Sequence, residues 1–108
     1  MAKNKFENNC KDCPVTDALD ILDGKWTLLV LRDLMTGPKR FGELRKSLGD
    51  LNPNTLTNRL RRLEKHGILV KKIFPEIPPK VEYKLTRKGL ALHDVIQSLG
   101  NWGEKWCR

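Results

Sequence analysis

A chain of 108 residues can bury one modest core and leaves no length for a second domain. Its 21 Lys and Arg against 13 Asp and Glu give a net charge of +8 and a pI of about 9.7, which favours a polyanionic partner, nucleic acid or an anionic membrane surface, through counterion release. No charged leader with an apolar core opens the sequence and no apolar run approaches the ~20 residues that span a bilayer, so a cytoplasmic protein without a membrane partner is expected, and three cysteines in that compartment do not read as a disulfide framework.

Residues 1–9 are polar and read as a flexible tail; residues 10–108 read as a single domain without repeats or linkers. Pro14 opens a first helix in which Val15, Ala18, Leu19 and Leu22 share a face, and Gly24 ends it. Lys25 to Met35 is apolar nearly all round, the pattern of a central helix contacted on several sides, and Gly37-Pro38 closes it. Phe41, Leu44 and Leu48 mark a short third helix before Gly49. Asn52 then suits an N-cap and Pro53 the first position of a fourth helix that runs to His66 and stops at Gly67. Two short helices joined by a few residues predict a helix-turn-helix.

On the fourth helix Leu56, Leu60 and Leu63 fall on one narrow face, which should be buried. Asn54, Asn58, Arg61 and Lys65 fall opposite, flanked by Thr55 and Arg62. Such side chains suit a major groove: Arg bonds guanine O6 and N7 bidentately, Asn does the same for adenine N6 and N7, and Thr meets phosphate or the thymine methyl. A solvated basic face is the plain alternative for this helix taken alone. The predicted reading set is Asn54, Thr55, Thr57, Asn58, Arg59, Arg61, Arg62 and Lys65, of which Arg59 lies nearer the leucine seam.

Two strands are predicted next, from Ile68 to Phe74 and from Val81 to Leu85. Pro75, Pro78 and Pro79 between them exclude a tight hydrogen-bonded turn and give a stiff loop, the shape of a wing. Lys71, Lys72, Lys80 and Lys84 on the wing, with Arg40 at the third helix, are placed to meet phosphate or line a minor groove. Thr86 should cap a final helix whose stripe of Leu92, Val95, Ile96, Leu99, Trp102 and Trp106 continues almost to the C-terminus. One small core cannot receive two tryptophans at the end of a long helix, so this stripe, with Val15 and Leu19, predicts a homodimer interface; folding back onto the opening helix is the alternative. Two reading helices about 34 Å apart would then meet successive major grooves.

Cys13 precedes Pro14, where the positive end of the first helix dipole and Lys11 favour the thiolate, so it is the candidate sensing thiol, with Cys10 as a resolving partner or a bystander. An inert thiol is equally compatible with the position. Zinc needs four ligands, and no second pair stands at matching spacing; neither metal nor cofactor is expected. No Gly-rich phosphate loop, nucleophile elbow or carboxylate pair supports an enzyme, and Asp17, Asp20 and Asp23 read as a solvated stripe. The rival from another class is a winged helix that binds protein or RNA. The lack of apolar anchors opposite the leucine seam weighs against a protein partner.

Cys13-Pro14, Gly24-Lys25-Trp26, Gly37-Pro38 with Arg40-Phe41-Gly42-Glu43-Leu44, the run Leu56 to Glu64, Pro78-Pro79-Lys80-Val81-Glu82-Tyr83 and Leu85-Thr86-Arg87-Lys88-Gly89 together resemble the HxlR-type winged-helix transcriptional regulators of bacteria and archaea, relatives of the MarR group. The resemblance covers Cys13 to about Gly103. It implies a mainly α protein with a small β hairpin (α+β), about five helices with a two- to three-stranded wing, dimeric through its terminal helices. It also implies double-stranded DNA as partner, with the Pro53 helix in the major groove, and regulation of nearby genes. Members of the family often answer to electrophiles or oxidants through the cysteine that matches Cys13. Cys10 is a departure from the family pattern.

Overall fold

Proline and glycine punctuate the chain where its helices start and stop in the computed structural model, which describes residues 13–108. The elements are α1 (Pro14–Leu22), α2 (Lys25–Leu34), β1 (Lys39–Arg40), α3 (Phe41–Ser47), α4 (Pro53–Lys65), β2 (Leu69–Phe74), β3 (Lys80–Leu85), α5 (Arg87–Leu90) and α6 (His93–Cys107). Five helices of seven residues or more, one single-turn helix and an antiparallel sheet in the order β1-β3-β2 make the winged helix-turn-helix that the sequence predicts. The polar tail 1–9, Cys10 and Lys11 lie outside the described residues.

The core forms where the apolar faces converge. Val30, Leu31 and Leu34 of α2 pack with Leu44 of α3, Leu56, Leu60 and Leu63 of α4, and Ile68, Leu69 and Leu85 at the base of the wing. Helix α2 is central, touching α3, α4 and β3, as its all-round apolar pattern requires. Thr27 is its one buried polar residue, and its hydroxyl is satisfied by donating to the Asp23 carbonyl at 2.8 Å.

The structure adds detail to the sequence reading and departs from it at the last helix. Lys39 and Arg40 form a short third strand, with Lys39 opposite Tyr83 and Arg40 opposite Glu82; two residues are too few for a periodic signal. The last helix is broken. Thr86 caps only α5, accepting from Gly89 N–H at 3.2 Å while its hydroxyl faces the carbonyls of Gly67 and Ile68. Gly89 then packs so closely that a Cβ would stand 2.2 Å from the Ile68 carbonyl oxygen. The chain tightens there, Leu92 N–H bonding Gly89 O three residues back, and α6 starts afresh at His93. Cys107 is the last helical residue of α6 and is exposed.

Candidate nucleic-acid interface

Helix α4 begins as its sequence dictates. The Asn52 side chain accepts from the N–H groups of Asn54 at 2.8 Å and Thr55 at 3.3 Å, and Pro53 occupies the first turn. The approach from α3 turns through Gly49 and Asp50, both at positive φ, and is tied by Arg45 Nε donating to the Leu51 carbonyl at 2.8 Å. Arg40 N–H donates to Glu43 Oε1 at 2.8 Å, fixing the start of α3. The leucine seam of α4 is wholly inside, which pins the rotation of the helix and leaves Asn54, Asn58, Arg61 and Lys65 exposed together on the other side.

The remaining predicted readers are placed differently. Thr55 and Thr57 are half-buried at the flanks. Arg62 donates through Nη2 to the carbonyl of Asp20 in α1, and the Arg59 guanidinium lies against Gly24 with its Nε buried. Both therefore reach toward the end of α1 and the turn that follows it. The wheel position of Arg59 near the seam is a signal for this; for Arg62 the partner is 42 residues away and no local pattern announces it.

The wing splits its lysines between two faces. Residues opposite each other in an antiparallel pair share a face, and the register sets Val70 against Lys84, Lys72 against Glu82 and Phe74 against Lys80. One face thus carries Lys72, Lys80 and Lys84, with Lys72 Nζ 5.1 Å and Lys80 Nζ 5.0 Å from the Phe74 ring and Lys80 paired to Glu82 at 3.3 Å. Lys71 lies on the other face, opposite Tyr83. Burial, then the neighbouring Glu64 carboxylate, pushes the Tyr83 phenol pKa up, with Arg61 opposing, so this face of the wing backs onto the end of α4. Arg40 is exposed on β1 at the sheet edge.

The predicted interface residues also divide. Leu92 and Ile96 pack against the core, whereas Val15, Leu19, Val95, Leu99, Trp102 and Trp106 are exposed. Leu19, Leu22, Leu28, Val95, Leu99 and Trp102 line an open apolar groove of about 920 Å³ between α1, α2 and α6. At the head of this region Cys13 is a free, buried thiol. The backbone N–H of Thr16, at the open end of α1, pulls its pKa below the ordinary value, with the N–H of Val15 adding and burial and Asp17 opposing. Among the described residues no three His, Cys, Asp or Glu side chains gather as metal ligands, and no helix is long and apolar enough to cross a membrane.

Comparison with known proteins gives this geometry its setting. The model of the HxlR-like helix-turn-helix family matches residues 21–108. A Synechocystis protein named as an uncharacterized HTH-type transcriptional regulator is 45% identical over 94 residues, 87% of this chain and 70% of its own. The HTH-type transcriptional regulator YodB of Bacillus subtilis is 38% identical over 96 residues, 88% of this chain and 86% of its own; its solved reduced form superposes with a TM-score of 0.77, covering 94% of this chain and 97% of that one. The redox regulator HypR in its reduced form gives a TM-score of 0.82 at 37% identity, covering 85% of this chain and 91% of that one.

Proposed function

The chain belongs to the HxlR-like helix-turn-helix family of transcriptional regulators, and from that premise we propose that it acts in the cytoplasm as a homodimer on specific double-stranded DNA. Helix α4 enters the major groove with Asn54, Asn58 and Arg61 toward base edges and Lys65 toward phosphate, and the wing face of Lys72, Lys80 and Lys84 follows the backbone or minor groove. The observation that carries this reading is the division of α4: three leucines lock one face into the core, and the face left outside holds paired donors and acceptors with no apolar anchor. The apolar groove beside α6 supports the dimer, because a second copy is the partner that a stripe on a terminal helix of a regulator needs. The test selects bound fragments from the source genome and follows their affinity with salt. A DNA reader enriches a site with two half-sites and loses affinity by orders of magnitude between about 50 and about 200 mM salt. Affinity that ignores salt, or equal retention of all fragments, overturns the reading.

Cys13 extends the proposal to a redox or electrophile response. Its support is the lowered thiol pKa at the head of α1, together with similarity to HypR, described as a redox regulator, and to YodB, solved also after diamide treatment. A Cys13→Ser protein is expected to keep its DNA binding when diamide releases the wild type; a normal diamide response in that variant removes Cys13 from the scheme.

A further inference from the structure

Arg59 and Arg62 sit three residues apart on α4 and both reach the turn between α1 and α2. The Asp20 carbonyl that receives Arg62 is among the last four of α1, which have no acceptor role inside that helix. Helix α1 has no basic residue in its own last turn, so the cation suited to the negative end of its dipole comes from α4. Beside it the Arg59 guanidinium lies over Gly24, where a Cβ would stand 3.3 Å from both Cζ and Nη2. Gly24 has φ 95°, so glycine there serves both the bend from α1 into α2 and the room for the guanidinium. The Arg59 Nε is buried without a hydrogen-bond partner, so at that atom packing against the turn and not a hydrogen bond holds the side chain.

We propose that Arg59 and Arg62 are positioning residues that fasten α4 to the end of α1 and the α1–α2 turn and so set the angle at which Asn54, Asn58 and Arg61 meet DNA. The inference rests on the DNA-reading function proposed above. On this reading the two arginines act by placing α4, and neither contributes a base or phosphate contact of its own.

The test compares wild type with Arg62→Met, Arg62→Lys, Arg59→Met and Gly24→Ala on the selected fragment and on random DNA across a salt series, together with amide hydrogen exchange of the free proteins. Both Met variants are expected to lose on the order of tenfold in preference for the selected fragment, spread over the whole half-site, with the salt slope unchanged. Arg62→Lys, which can still donate to the Asp20 carbonyl, recovers most of that loss, and Gly24→Ala reproduces it from the other side of the joint. Exchange of the α1 amides speeds up in Arg62→Met more than in the rest of the molecule. A salt slope lowered by about one, as a lost phosphate contact gives, or a loss confined to one base pair, as a lost base contact gives, overturns the proposal. Unchanged α1 exchange in Arg62→Met does the same. If Gly24→Ala does not fold, the arginine variants decide; if wild type itself prefers no fragment, the DNA reading fails while the exchange comparison still judges the joint.

Discussion

Helices α4 and α6 are both amphipathic and of similar length, 13 and 15 residues, yet α4 buries three leucines and α6 buries nothing. Leu56, Leu60 and Leu63 are at most 2% exposed; Leu99, Trp102 and Trp106 are 52–65% exposed. The difference lies in what each stripe faces. Around α4 the chain itself supplies α2, α3 and the base of the wing. Around α6 it supplies only Leu92 and Ile96 with a hold on the core, and α1, which also buries no residue, leaves the groove between them open. An apolar stripe read from the sequence therefore does not say whether its own chain covers it.

The comparison breaks first at the core. Leu60→Ala should cost about 2 to 5 kcal/mol of folding stability in urea denaturation, since it empties a site closed on all sides. Trp102→Ala should leave the fold of the single chain standing and act on the proposed association instead, weakening it by about 2 kcal/mol or more, roughly 30-fold in the dissociation constant, as loss of a central aromatic anchor does. Sedimentation at several protein concentrations separates the two. A dimer unaltered by Trp102→Ala would place the interface elsewhere.

Much of this division was legible in the sequence, and the illegible part has a physical cause. Periodicity located the α4 seam and its outer face because both depend on residues within three or four positions of each other. It placed Leu92 and Ile96 with Trp102 on one stripe, although Leu92 and Ile96 pack on the core and Trp102 stands exposed. It assigned all four wing lysines one role, while strand register puts Lys71 on the opposite face from Lys72 and Lys84. It set Arg59 and Arg62 beside the other polar residues of α4, and a helical wheel holds no information about the α1 carbonyl that Arg62 meets.

Smaller effects sharpen the exposed side of α4. Arg61→Ala or Asn58→Ala should weaken binding at the selected site by about 1 to 3 kcal/mol and relax the preference at one base pair, with thermal stability nearly unchanged because both side chains are exposed. Lys72→Ala or Lys84→Ala should weaken all sequences alike and lower the salt slope by about one. Lys71→Ala, on the other face of the hairpin, is expected to leave that slope where it was. Equal slopes for all three would mean that the two wing faces are not distinguished by DNA.

The gentlest probe is pH, applied at the head of α1 where the open side of the molecule begins. The folded thiol of Cys13 has its pKa lowered, chiefly by the Thr16 N–H, relative to an unfolded value near ~8.5. A depressed acid pKa means that the folded state holds the thiolate better than the unfolded state does. The resulting stability is fully present above the unfolded value, and is lost as pH falls through the folded one. The difference in urea midpoint between wild type and Cys13→Ser should therefore grow in favour of wild type as pH rises through that window and then level off. The alkylation rate of Cys13 should rise through the same window. A midpoint difference that stays flat with pH would mean that the end of α1 does not hold a thiolate, and Cys13 would then be a covered thiol of the α1 side with no electrostatic preparation for reaction.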